Sequence, residues 1–372
     1  MKEITRCKRC IMDNAADPTI RFDENGYCNY CTAALARMEK TYFPNEEGQR
    51  RLDALLSQIK KSEQDKQYDC IMGLSGGLDS SYLAYLGHKW GLRVLAVHLD
   101  DGYDTEISKS NLKKLIDATG FDYKVIQPNP KQFNALSLAY MKAGVPNLAV
   151  PQDNTILAFL YEQMRKYHIT YFLSGGNFAL ECILQHGNSY SNSDVVNIKD
   201  IHRRFGTEPI DQLKFVSSIQ RLTAERLHIY KTLRPLDLID YNRDRAFQEL
   251  ADFCGFEYYG RKHLENIFTA FLQLYWFPRK FHVDKRTSHL SSMIVSGQIS
   301  REQALKEYQE PLYDEAQMEK YLSIIKKGLG ISDAEFEALM AAPPHQHTEY
   351  AVESDKLLYR MLRAAHRVLK IN

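Results

Sequence analysis

An apolar run, "YDCIMG" (residues 68–73), stops at "LSGGLDSS" (residues 74–81), and this junction constrains the fold more than any other stretch of the chain. Gly76 and Gly77 admit backbone conformations and close approaches that a side chain would forbid. A helix starting directly after them presents unpaired amides at the positive end of its dipole. Together these features make an anion cradle. Ser75 and Ser80 add hydroxyls suited to phosphate oxygens, while Asp79 either holds a magnesium ion or caps the helix. The stretch has no lysine in the position that GxxxxGK[ST] demands, and it is not GxGxxG, so neither of those phosphate loops is present.

The residues beyond the junction alternate in type. "DSSYLAYLGHKWG" reads as a helix ended by Gly91, "LRVLAVHLD" as a strand, "ISKSNLKKLIDATG" as a helix ended by Gly120, and "DYKVIQP" as a third strand. Another helix, "NTILAFLYEQMRKYH", leads into "ITYFLSGGN", a fourth strand that also stops at Ser-Gly-Gly. Such alternation predicts an α/β fold with a parallel sheet and right-handed crossovers, whose ligands collect at the carboxyl ends of the strands. Both Ser-Gly-Gly turns fall on that edge. Ahead of it, "RLDALLSQIKKSEQDK" (residues 51–66) has helical periodicity and ends in charge, as a connector does.

Four of the seven cysteines lie in the first 31 residues, as "CKRC" and "CNYC". Two CxxC pairs at this spacing suit a structural zinc ribbon with Cys7, Cys10, Cys28 and Cys31 as ligands, the loop between them turning at Pro18 and Gly26. A site closed by four thiolates leaves no coordination position open, so its work is folding rather than catalysis. Cys70 and Cys254 read as apolar packing, and Cys182 follows the second Gly-Gly. None of the three has an adjacent histidine, which predicts that the chain makes no ammonia from glutamine by itself.

The net charge of +1 gives no uniform field to attract nucleic acid or an anionic membrane. No stretch reaches the roughly 20 apolar residues of a membrane span, and "MKEITRCKRC" lacks an apolar signal core, so a cytoplasmic protein is expected.

The "SGGLDS" loop resembles the SGGxDS signature of the N-type ATP pyrophosphatases, the PP-loop superfamily. The resemblance implies a parallel-sheet, adenine nucleotide alpha hydrolase-like (HUP) domain that uses ATP and Mg2+. It also implies that Ser75, Gly76, Gly77, Asp79 and Ser80 hold pyrophosphate, and that Ser174, Gly175, Gly176 and Asn177 of "SGGN" lie near the α-phosphate. His98, Leu99 and Asp100 of "VHLDDG" become candidate adenine and ribose contacts, unless Asp100 and Asp101 cap the next turn.

Nearly the whole chain, through "CKRC", "FDENGYCNYC", "SGGLDS", "GRKHLEN" and "DKRTSHLSSMIVSGQISREQAL", resembles the N-acetyl sugar amidotransferases of bacterial lipopolysaccharide O-antigen and other surface-sugar synthesis. That family implies adenylation of the acetamido carbonyl of a nucleotide-linked diacetamido uronic acid, then replacement of oxygen by ammonia to give an acetamidino group. A glutaminase subunit and a HisF-like partner commonly supply the ammonia. The expected layout is a zinc ribbon at 1–45, a PP-loop domain at 46–250 and a helical substrate region at 251–372. Lys285 and Arg286 of "FHVDKR" are cations suited to pyrophosphate, a nucleotide diphosphate or a sugar carboxylate, and are expected to be catalytic, the bland alternative being a charged helix start.

Within "GRKHLEN" (Arg261, Lys262, His263, Glu265), His263 or Glu265 either relays a proton from ammonium or stabilises a turn. "FTAFLQLYWF" reads as a buried helix, "PPHQHTEY" with His345 and His347 as a solvated linker, and residues 186–232 as a substrate entrance or a loop. The rival function is tRNA thiolation by an enzyme of the same ATP-using class. It needs a transferable sulfur and a basic face, which the committed cysteines and near-zero charge do not offer. A noncatalytic nucleotide-binding scaffold is separable from both by assaying pyrophosphate release.

Overall fold

The computed structural model describes residues 4–361, apart from 16, 18, 261–263, 357 and 358. Its centre is a parallel sheet of β1 (Cys70–Gly73), β2 (Val94–Leu99), β3 (Asp122–Ile126), β4 (Tyr171–Leu173) and β5 (Lys231–Leu233), in the order β3-β2-β1-β4-β5. β2 is buried along its whole length and β1 nearly so, because helices cover both faces, which is why these two strands read as continuous apolar runs. β5 was not foreseen. It is three residues, Lys-Thr-Leu, at the sheet edge, where neither an apolar run nor alternation betrays it.

The early helices are α1 (Asn29–Thr41), α2 (Glu46–Ser62), α3 (Leu78–Lys89), α4 (Glu106–Thr119), α5 (Pro130–Ala143) and α6 (Val150–Lys166). The chain steps outward from β1 to β2 to β3, and α6 then carries it back to β4 on the other side of β1. The strand order therefore reverses between β1 and β4, and an open α/β sheet forms its ligand crevice at such a point. Both Ser-Gly-Gly turns sit at the mouth of this crevice.

One face of the sheet buries Ile71, Leu95 and Val97 against Leu160, Met164 and Ile169. The other face belongs to a larger core that runs from the N-terminal cysteines through Leu83 and Ala84 to Leu290 and Met293. A third core joins α5 to the C-terminal helices around Phe271, Trp276 and Phe336. The aromatic segment is helical and buried as expected, running through Ile267–Phe271, a π-helical turn at Leu272–Trp276, and Phe277–Phe281. Trp276 is fully buried, and its Nε1 donates to the Val145 carbonyl at 3.0 Å.

The "PPHQHTEY" segment departs from expectation. His347 is buried, stacks on Tyr190 with ring centroids 4.1 Å apart, and accepts the Asn147 amide at 3.3 Å. Burial pushes its imidazole down to about 3, so it serves as a neutral packing group. Residues 186–232 carry helices at Val195–Phe205 and Ser218–Arg226, while Asn188 and Ser189 reach the central cavity. No helix among the described residues is long and apolar enough to cross a membrane.

Candidate functional site

The turn after β1 requires glycine at Gly76 and is crowded at Gly77. Gly76 has φ +76°, and a methyl group there would lie 2.2 Å from Ser108 Oγ; one on Gly77 would lie 2.7 Å from Glu265 Oε1. Ser75 Oγ accepts the Gly77 amide at 3.2 Å, and Ser80 Oγ accepts the Ser75 amide at 3.2 Å, so the two hydroxyls hold the turn's shape. Gly77 stands at the cap position of α3 without a side-chain cap, which leaves the helix end open toward the crevice. Asp79 lies inside the first turn, not at the cap, and accepts the Tyr241 hydroxyl. The capping alternative for Asp79 is thereby removed.

The second glycine turn lies against the first. A methyl group on Gly175 would sit 3.0 Å from the Ser80 amide nitrogen, and Ser174 Oγ accepts the Gly176 amide at 3.2 Å. Asn177 is buried and caps the short helix Phe178–Glu181, its Oδ1 accepting the Leu180 amide at 2.9 Å. It positions this turn and does not line the cavity.

A cavity of about 960 Å³ opens over both turns. Ser75, Gly77, Asp79, Ser80, Gly175 and Gly176 line it on one side, and Glu265, Asp284, Lys285 and Arg286 reach it from the C-terminal region. Lys285 stands just ahead of the helix Arg286–Val295. Burial lowers its pKa, Glu181 opposes that shift, and no described residue hydrogen-bonds its ammonium. Arg286 behaves differently. Its Nε and Nη2 clamp Asp284 at 3.0 and 2.7 Å, and its Nη1 donates to the Glu310 carbonyl, so part of its fork is held by protein groups. Both expected cations line the cavity, Arg286 paired with Asp284 and Lys285 without an ion pair among the described residues.

The three candidates after β2 also separate. His98 and Leu99 both line the cavity. Asp100 accepts Gly102 N and Gln127 Nε2 and faces a second hollow, which it shares with Tyr103 and Asn129. His98 is buried, with Nδ1 2.8 Å from the Leu74 carbonyl and Nε2 2.8 Å from Asp104 Oδ2. Burial alone would lower its pKa, but the Asp104 carboxylate and the Leu74 carbonyl together raise it. Both partners are acceptors, so the pair favours the protonated ring, which can donate from both nitrogens. His98 thus ties Leu74, the residue that opens the glycine turn, to Asp104 on the wall of the cavity.

A pH dependence follows from this pair. A raised pKa means that the stability contributed by His98 is complete below its unfolded value near 6.5 and is lost as pH rises through the higher folded value. Thermal melts between about pH 6 and 9 should therefore fall more steeply for the native chain than for His98→Gln. Parallel curves would show that the ring is uncharged.

Three contributors left no motif in the sequence. Glu181 lines the cavity beside the second turn, its Oε2 3.5 Å from where a Gly176 methyl would be. Asp153, in the first turn of α6, also lines it, and burial pushes its carboxyl up to about 7. Tyr259 Oη accepts the Leu78 amide at 2.7 Å and so closes the loop from the C-terminal side. Arg261, Lys262 and His263 lie outside the described residues. Glu265 is buried, its carbonyl taking the Thr105 amide at 3.0 Å, which ties the C-terminal region to the loop after β2.

The four N-terminal cysteines converge as expected. All are fully buried, and their sulfurs lie within 4.8 Å of one another, with Cys7 to Cys31 at 3.8 Å and Cys10 to Cys28 at 3.6 Å. The Cys28 amide donates to Cys7 Sγ at 3.2 Å and the Cys31 amide to Cys28 Sγ at 3.4 Å, as suits thiolates sharing a cation.

Residues 49–155 match the NAD synthase family, and residues 265–365 match the family described as LPS biosynthesis protein WbpG-like, C-terminal domain. Among solved structures, an NH3-dependent NAD synthetase from Campylobacter jejuni is 14% identical, with 80% of this chain and 98% of that one covered at a TM-score of 0.34. An NMN synthetase from Francisella tularensis is 15% identical over 64% of this chain and 96% of that one, at a TM-score of 0.30. Likenesses this slight carry no weight beside the sheet order and the two family matches. No curated protein matches the chain significantly.

Proposed function

Taking as premise that the chain is a PP-loop ATP pyrophosphatase of the lipopolysaccharide-biosynthesis type, with a WbpG-like C-terminal domain behind an NAD synthase-like domain, we propose that it is an ATP-dependent sugar amidotransferase. Its substrate in this reading is a nucleotide-linked diacetamido uronic acid or related surface sugar, converted from acetamido to acetamidino in the cytoplasm during O-antigen synthesis. The observation that carries the reading is the single cavity in which the glycine turns meet Lys285 of the C-terminal domain. At about 960 Å³ it is at the top of the usual range for one small-molecule site, as a nucleotide and a second substrate require.

An amide carbonyl resists ammonia because its oxygen leaves poorly. The substrate oxygen attacks the α-phosphorus of ATP, pyrophosphate departs, and the resulting O-adenylyl imidate is attacked by ammonia, which expels AMP. The positive end of α3, with the Ser75 and Ser80 hydroxyls, holds the departing pyrophosphate. Lys285 supplies positive charge on the opposite wall, where a phosphate or sugar carboxylate would lie. Asp79 and Glu181 line the same cavity and would hold magnesium, which neutralises phosphate charge when bound. Apolar walls at Leu180, Ile183 and Phe277 exclude water from the activated imidate. The cysteine cluster would hold a structural zinc.

Ammonia comes from elsewhere in this reading, from a glutaminase subunit and a HisF-like partner. Burial pushes the Cys182 thiol up to about 11, and its Sγ faces the Ser292 carbonyl, which is the opposite of an activated nucleophile. The same observation disfavours tRNA thiolation, which needs a labile sulfur. The test incubates the purified chain with Mg-ATP, candidate UDP-sugars and either ammonium salt or glutamine. AMP and a product one mass unit lighter should form with ammonium and not with glutamine. Amidine formation from glutamine by the isolated chain, abolished in Cys182→Ala, would refute the separate ammonia source, and no AMP with any sugar would refute the amidotransferase.

A further inference from the structure

The cysteine module does not hang at the end of the chain. Its knuckles are fastened to two segments, and each of these delivers a charged side chain to the cavity. The first is the helix Arg286–Val295, which follows Lys285 directly. Ser291 is fully buried on it, and its Oγ accepts the Ile11 amide at 3.1 Å, one residue beyond Cys10. Arg301, just past this helix, donates to the carbonyls of Cys7 and Cys10, both on the first knuckle, at 3.0 Å each.

The second segment runs from the helix Phe178–Glu181 to His186 and carries Glu181. Arg37 of α1 donates to the Cys182 carbonyl at 2.7 Å, and the His186 amide donates to Tyr30 Oη at 3.1 Å, with the two rings stacked at 5.4 Å. Tyr30 stands between the ligand positions Cys28 and Cys31. The two segments are also bonded to each other. Ser292 Oγ accepts the Ile183 amide at 2.9 Å, and Ser296 Oγ donates to the Ala179 carbonyl at 2.7 Å. The helix Arg286–Val295, the segment from Phe178 to His186 and the knuckles therefore form one bonded unit, from which Lys285 and Glu181 reach the cavity.

We propose that the four-cysteine module is a positioning device for the active site, holding Lys285 and Glu181 at their mutual separation through the Arg301 and Ser291 ties, in addition to any work it does for folding. The glycine turn after β1 is outside this unit. It is held by its own serines, Ser108 and Tyr259. Loosening the ties should then free one wall of the cavity and leave the other in place. This inference goes beyond the amidotransferase reading and does not need it, since the readouts below involve no turnover.

The variant that isolates the idea is Arg301→Ala, because Arg301 bonds only knuckle carbonyls here and leaves all four thiols in place. The full chain is compared with this variant by metal content, by amide hydrogen exchange and by the rate at which an amine-acylating reagent modifies Lys285, with and without inorganic pyrophosphate. The expected result is unchanged metal content, several-fold faster exchange in residues 178–186 and 286–295, several-fold faster acylation of Lys285, and unaltered exchange in β1 and the 74–80 turn. Ser291→Ala should give the same pattern in weaker form. Faster exchange confined to residues 4–45 would overturn the proposal, and so would a uniform rise that includes β1 and β2, since the module would then support only itself or only the global fold. Acylation of Lys285 at the native rate in both variants would also overturn it.

Discussion

Asp79→Asn should lower the rate of pyrophosphate release from ATP by about ten- to a hundredfold or more, while the melting temperature stays within a few degrees of the native chain. A carboxylate that meets a cation or developing charge in the reacting complex contributes roughly 1.5 to 3 kcal/mol or more, and each 1.4 kcal/mol is about tenfold in rate. Asparagine keeps an oxygen for the Tyr241 hydroxyl, so the native contact survives the change. Ser75→Ala should also slow release, with a stability loss of about 1 kcal/mol, because its Oγ is the acceptor for the Gly77 amide. Pyrophosphate release at the native rate in Asp79→Asn would remove the nucleotide assignment of the loop, whatever the second substrate proves to be.

Cys28→Ser should have the largest effect on stability. Four sulfurs around one zinc at about 2.3 Å are about 3.8 Å apart in a tetrahedron. Two of the separations, at 3.8 and 3.6 Å, lie close to that figure, and all four sulfurs lie within 4.8 Å of one another. Structural zinc in small modules binds with on the order of 10 kcal/mol, comparable with the whole stability of a domain. Metal analysis of the native chain should find one zinc, and Cys28→Ser should lose it with a drop in melting temperature of about 10 °C or more. A native chain without zinc, or a serine variant with equal metal content and melting temperature, would reject the assignment.

What the sequence made legible was local. The central strands announce themselves because a parallel strand covered on both faces must be apolar along its length, as "CIMG" and "VLAVHL" are. The two glycine turns and the cysteine pairs were legible because each function needs residues at fixed spacing within a few positions. Long-range decisions were not. Nothing within "FHVDKR" shows that Asp284 pairs with Arg286 and not with Lys285, because their different surroundings depend on the helix start and on Glu310. His347 looks solvated until Tyr190 and Asn197 close over it from more than a hundred residues away. His98 lies on the expected strand, but its role was set by Asp104 and by the carbonyl of Leu74, a backbone atom that no residue pattern reports. β5 exists because β4 offers it an edge, and its own three residues carry little preference for a strand.

The bonds between the first cysteine knuckle and the Ser291–Arg301 stretch join residues 280, 291 and 294 positions apart. On the ribosome the knuckles emerge well ahead of their seat. At about 5 to 20 residues per second, the interval is on the order of 15 to 60 seconds. During that time the thiols are made but the surface that buries them is not. A metal ion captured early would preorganise the knuckles and spare them oxidation or wrong pairing while they wait. Closing so long a loop is an entropic barrier that local contacts cannot lower, so the joining of the two ends belongs late in folding, after the sheet has formed. The finished cavity, whose lining includes Lys285, is accordingly a product of the last step of maturation, and a nascent chain that already holds its glycine turn would not yet have both walls of its site.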